Sequence, residues 1–128
     1  MAARYLIDTD VLVEYLRGSP RAIRYLERLE GELLLSAITV AELFSGARGE
    51  GEETALEQFL QVFEVLPVGQ DLARRGGLYR RDYGRSHGTG LADALIAASA
   101  EAAGAVLVTF NRRHYPMTSQ VTVPYKRG

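Results

Sequence analysis

The sequence of 128 residues predicts an α/β fold with a mostly parallel central sheet of about five strands, covered by helices on both faces. Two observations predict it: short apolar runs bounded by turn residues, and the longer segments of helical period that alternate with them. A third bounds the organisation. No repeat, low-complexity tract or Pro/Gly/Ser linker breaks the alternation, so residues 1–128 read as a single domain.

Each element has a local reason. Tyr5-Leu6-Ile7 reads as a short buried strand ending at Asp8. Val11 to Leu16 predicts a short helix stopped by Gly18, and Ser19-Pro20 opens the next with a cap and a proline at its first position. Leu33-Leu34-Leu35 is a second strand. Val40, Leu43, Phe44 and Ala47 form the apolar stripe of a helix from about Val40 to Ala47, which the segment GARGEGEE ends; Glu53 to Phe63 predicts another. Val65 to Val68 is a candidate strand, Gln70 to Gly84 a helix weakened by Gly76-Gly77, and Arg85 to Gly90 a loop. Leu91 to Ala103 is helical and almost wholly apolar. Val106 to Val108 is a strand, and Val121 to Val123 a last, edge strand.

Composition excludes several classes. With no cysteine there is no disulfide framework, thiol nucleophile or Cys-ligated metal centre, which fits a reducing compartment. MAARYLIDTD reaches acidic residues too soon for a signal peptide or spanning helix, so a soluble cytoplasmic protein is expected. The formal net charge of −1 hides a polarised chain: residues 1–64 carry 6 basic and 12 acidic side chains, residues 65–128 carry 9 and 4. Lys126 is the sole lysine; the other 14 cations are arginines, suited to forked contacts with carboxylate or phosphate, although biased genome composition explains the same count.

The carboxylates carry the functional signal. Asp8 directly follows a buried strand, and Asp10 stands two residues on, so both can face one pocket; capping of the next helix is the competing role for Asp10. Asp93 lies among side chains that mark a buried helix, where an unpaired charge costs several kcal/mol or shifts its pKa; a dipole-favoured helix start is the alternative. Thr39 to Glu42 has capping-box spacing, and Asn111 reads by itself as a turn residue. What unites them is place, since a doubly wound sheet gathers strand ends and helix starts along one edge. Two carboxylates about 6 Å apart repel by roughly 3 kcal/mol at an effective dielectric near 20, so such a cluster calls for a hard cation, Mg²⁺ or Mn²⁺, and for phosphoryl or phosphodiester chemistry.

Other signals are weaker. His87 and His114 read as loop or surface residues, and neither GxxxxGK[ST] nor GxGxxG occurs. Arg74, Arg81, Arg85 and Arg112 are candidate contacts to a phosphate backbone, and a solvated helix face accounts for the first three equally well.

Four motifs then fall in order and spacing: Leu6-Ile7-Asp8-Thr9-Asp10-Val11-Leu12, Ser36 to Leu43, Ala92 to Ala98, and Val108-Thr109-Phe110-Asn111 with Arg113-His114-Tyr115. Together they resemble the PIN-domain nucleases, and within them the VapC-type toxins of toxin–antitoxin pairs, from about Tyr5 to Val123. The resemblance implies a three-layer α/β/α fold and a Mg²⁺- or Mn²⁺-dependent endoribonuclease that inhibits translation or growth. It implies Asp8, Glu42 and Asp93 as metal-site acids, Asn111 where a fourth carboxylate often sits, and Thr9, Asp10 and Thr109 in support. It also implies a homodimer and a small VapB-like antitoxin whose C-terminal segment covers the site. Two rivals stand beside it. Asp8-Thr9-Asp10-Val11 matches the nucleophile signature of haloacid-dehalogenase-type phosphatases, with Ser36 as phosphate contact, but the required lysine and late acidic pair are missing. The other is a non-catalytic binding module that keeps the fold.

Overall fold

The computed structural model describes residues 2–127. Five strands form one sheet: β1 (Arg4–Ile7), β2 (Glu32–Ser36), β3 (Glu64–Leu66), β4 (Val106–Val108) and β5 (Val121–Thr122), in the order β3-β2-β1-β4-β5 with all four pairings parallel. Between them run α1 (Thr9–Leu16), α2 (Pro20–Arg28), α3 (Ala37–Ser45), α4 (Gly49–Leu60), α5 (Gln70–His87) and α6 (Leu91–Ala103), with a 3₁₀ turn at Arg112–His114.

Because successive strand residues point to opposite faces, each strand feeds two cores. Leu6, Leu34 and Leu107 join Ile96, Ala97 and Ala100 of α6 on one side. Ile7, Leu35 and Val108 join Val11 and Leu12 of α1, Leu26 of α2, Leu43 of α3 and Leu56 of α4 on the other. The result is the expected three-layer α/β/α arrangement. Chain order along the sheet reverses between β1 and β4, and a doubly wound sheet has its cleft at that point, beyond the carboxyl ends of the strands.

Several boundaries differ from the sequence reading: α1 starts two residues earlier, β3 is Glu64–Leu66 rather than Val65 to Val68, β5 stops at Thr122, and three helix ends have a clear local cause. α3 begins at Ala37, because the Ser36 hydroxyl accepts a hydrogen bond from the Ile38 N–H at 3.1 Å and caps the helix there. Thr39 and Glu42 are therefore not a capping box: Glu42 stands in the second turn. α4 starts at Gly49, inside the segment read as a break, where Glu50 and Glu52 favour the positive helix end and Glu52 accepts from the Arg48 N–H. α5 continues through Arg85-Ser86-His87, which were expected in a loop; Tyr83 and His87 pack one turn apart, and Gly88 ends the helix in the left-handed region at φ 69°. In α5, Gly76 is a close approach rather than a weakness, since a Cβ there would lie 2.5 Å from Leu95 Cδ2 of α6.

Candidate active site

Asp8 leaves β1 in extended conformation and is the N-cap of α1, its own N–H bonded to the Val108 carbonyl at 2.9 Å. Its carboxylate is 4% exposed and takes three hydrogen bonds: Oδ1 from the Thr9 N–H at 2.8 Å, and Oδ2 from the Thr109 hydroxyl at 2.7 Å and the Tyr115 hydroxyl at 2.8 Å. Burial, and then the charge of Asp10, outweigh these donors and push its pKa up to about 7. Asp10, in the first turn of α1, accepts at Oδ2 from the Phe110 N–H at 3.1 Å and Asn111 Nδ2 at 3.0 Å, while its Oδ1 is buried without a partner. Burial raises its pKa also.

Asp8 rather than Asp10 is therefore the cap. The two carboxylates share the pocket not because the chain stays extended, but because the helix turns Asp10 inward beside the β4 end.

Asp93 sits in the first turn of α6, where Oδ2 accepts from the Gly90 N–H at 3.2 Å. Its two candidate roles coincide: it caps the helix and faces the pocket. Oδ1 lies 3.2 Å from the Tyr115 hydroxyl and Oδ2 lies 3.2 Å from His114 Nδ1. Glu42 arrives from α3, accepting from the Thr9 hydroxyl at 2.7 Å; Thr39 Oγ1 is 3.1 Å from that same hydroxyl.

One cavity of about 360 Å³ collects Asp8, Thr9, Asp10, Glu42, Asp93 and Asn111, together with Val13, Glu14, Arg17 and Arg127. Thr109 lies beneath it, fully buried. The sequence reading gives Glu14, Arg17, Arg127 and Tyr115 no site role. Glu14 and Arg17 follow Asp10 and Val13 at helical i, i+4 spacing, a signal available in the sequence. Tyr115 links Asp8 to Asp93 only because the 3₁₀ turn folds it back, and no spacing rule marks it. His114, read as a surface residue, stands beside Asp93. Of the candidate RNA contacts, Arg74, Arg81, Arg85 and Arg112 do not line this cavity: Arg81 pairs with Asp82 at 2.9 Å, and Arg112 donates to the Val121 carbonyl at 3.0 Å.

The donor set suits a hard cation. Five carboxylates face one cavity, the orphaned Asp10 oxygen offers lone pairs, and the pKa of Asp8 is raised first by burial and then by the Asp10 charge, which a cation would offset. Among the described residues no three carboxylate or imidazole groups close around one point, so Asp8, Glu42 and Asp93 would hold a cation in part through water. Ser36, the phosphate contact a phosphatase would need, is fully buried and bonded to Ser99 at 3.2 Å, away from the cavity.

A parallel three-layer α/β/α fold with an acidic pocket at its reversal point defines a class, and a family model described as PIN domain matches residues 5–118: the chain belongs to the PIN-domain family. Within it, the chain is similar to Ribonuclease VapC10 of Mycobacterium tuberculosis, 40% identical over 123 residues covering 94% of this chain and 92% of the relative. Ribonuclease VapC19 of the same organism is 41% identical over 124 residues, covering 94% and 98%. Among solved structures, a toxin–antitoxin complex from Klebsiella pneumoniae superposes with a TM-score of 0.83 at 28% identity, covering 96% of this chain and 99% of that chain.

Proposed function

We propose that the protein is a divalent-metal-dependent endoribonuclease, the toxin of a toxin–antitoxin pair. The observation that carries this reading is the convergence of Asp8, Asp10, Glu14, Glu42 and Asp93 on one cavity, in a chain related to VapC ribonucleases. Asp8, Glu42 and Asp93 would hold Mg²⁺ or Mn²⁺, directly or through water, with Asn111 at the rim. Bound there, the ion supplies charge neutralisation and acidifies the attacking water.

The chain's own residues do the rest. Tyr115 and Thr109 hold the Asp8 carboxylate against β4, and Thr9 fixes Glu42. Asn111 donates to Asp10 and turns its charge toward the cavity wall. Arg17 and Arg127 offer cations for substrate phosphate beside the acids. Hydrolysis leaves a 5′-phosphate and a 3′-hydroxyl, with no covalent enzyme intermediate.

The likeness to toxin–antitoxin complexes supports the partner, a VapB-like antitoxin whose C-terminal segment covers the site, and the acidic cavity would accept a cationic side chain from it. The working form is a homodimer acting in the cytoplasm. Among the described residues no helix is long and apolar enough to cross a membrane.

The test is cleavage of structured RNA by purified protein. Cutting is expected with Mg²⁺ or Mn²⁺ and is expected to vanish in excess chelator and in Asp93→Asn. Persistence in chelator would overturn the mechanism.

A further inference from the structure

A second cavity of about 400 Å³ lies between α2 and the segment that follows β5. Arg21, Arg24 and Arg28 line it at i, i+3 and i+7, one face of the helix, with Tyr25 among them and Tyr125 opposite. The three arginines are exposed, none is ion-paired among the described residues, and no carboxylate lines the cavity.

This cavity is joined to the acidic one. The Arg21 guanidinium lies 4.3 Å over the Tyr125 ring, Tyr125 packs edge-on to Phe110 at 5.1 Å, and the Arg127 guanidinium lies 4.2 Å over Phe110. Arg127 in turn lines the acidic cavity. Alternating guanidinium and aromatic planes thus run from one cavity to the other.

Guanidinium forks grip phosphate, and aromatic faces stack bases without regard to sequence. A phosphodiester at the acidic cavity is repelled there by the carboxylates, so its strand needs positive anchors just outside. We infer that the α2 cavity is a subsite for the single-stranded RNA adjoining the cleaved phosphodiester, Arg24 and Arg28 holding its phosphates while the Tyr25 ring stacks a base and Tyr125 holds Arg21 in place. An acidic peptide would satisfy the arginines but leave the Tyr25 ring unused. The inference rests on the nuclease reading.

The test uses a labelled single-stranded RNA oligonucleotide of mixed sequence, titrated by fluorescence anisotropy over a range of salt concentrations. The background is Asp93→Asn with Mg²⁺ present, so that RNA stays whole. Arg24→Gln/Arg28→Gln is expected to weaken binding about tenfold and to make the slope of log affinity against log salt shallower by about 0.7 per arginine. Arg24→Lys/Arg28→Lys should restore the slope. A double Gln variant that is folded by circular dichroism and binds RNA with unchanged affinity and slope would overturn the subsite while leaving the nuclease reading intact. So would loss of antitoxin binding with RNA binding preserved, which would make the cavity a protein contact. An Asp93→Asn protein that binds no RNA would overturn the subsite, and a parent protein that leaves RNA uncut with Mg²⁺ or Mn²⁺ would overturn the nuclease reading.

Discussion

The Tyr115 hydroxyl donates to Asp8 Oδ2 at 2.8 Å, joining residues 107 apart in the chain. Burial and the flanking Asp8 and Asp93 charges hold its pKa far above the ordinary range, so it stays a donor at every working pH. That donor lowers the pKa of Asp8 against the upward push of burial. In Tyr115→Phe the Asp8 pKa should climb further, moving the acid limb of the cleavage rate to higher pH. The lost bond should lower stability by about 1–2 kcal/mol. A pH–rate profile and a denaturant melt measure the two effects, and an unmoved acid limb would remove Tyr115 from the positioning of Asp8.

The same carboxylate makes stability depend on pH in an uncommon direction. Native Asp8 keeps its proton up to about pH 7, whereas the unfolded chain releases it near 3.8, so between those values the native state binds more protons. Stability of the metal-free protein should therefore fall as pH rises from about 4 to about 7, and level off above. Asp10 acts in the same direction. Asp8→Asn should flatten the thermal midpoint against pH, even though it also weakens the bond to the Thr9 N–H that caps α1. A midpoint that rises over this window in the parent protein would contradict the raised pKa.

Asn111 donates to Asp10 Oδ2 at 3.0 Å, where a carboxylate would repel it. Two carboxylates about 4 Å apart at an effective dielectric near 20 repel by roughly 4 kcal/mol. Asn111→Asp should melt at lower temperature without metal and gain more from Mg²⁺ than the parent does, while Asp93→Asn should lose the Mg²⁺-dependent rise. Differential scanning fluorimetry with and without Mg²⁺ separates these outcomes.

Two adjacent glycines of α5 should respond oppositely to alanine. At Gly77 an added Cβ meets nothing within 4 Å, so Gly77→Ala should stabilise by about 0.5–1 kcal/mol through helix propensity. At Gly76 it meets Leu95 side-chain and backbone atoms, so Gly76→Ala should destabilise by about 1–3 kcal/mol as α5 is forced away from α6. Chemical denaturation of the pair tests the packing directly, and equal shifts would refute it.

What the sequence made legible follows its strongest local signals. α6 matches its expected span, Leu91–Ala103, and β4 its span, Val106–Val108, because long or sharply bounded apolar runs leave little choice. Helix ends failed where breaker residues misled. Gly49 and Gly51 read as a stop although their acidic neighbours suit a helix start, and Gly84 read as an end although Gly88 takes the left-handed conformation. At the site, Asp8, Asp10, Glu42, Asp93 and Asn111 were visible as charges or turn residues at strand ends and helix starts. Tyr115 stood in a motif without a role and Arg127 was not visible, since one reaches the acids through a tertiary fold-back and the other along a tail with no regular structure.

The reversal of strand order between β1 and β4 also sets when the pocket can exist. Asp8 and Asp10 emerge during synthesis well before their partners Thr109, Phe110, Asn111 and Tyr115, which all follow β4. Until residues beyond β4 have left the ribosome, the acids have neither their donors nor the wall that encloses them. A site wired in this order is completed only once the segment that follows β4 has docked against the end of β1.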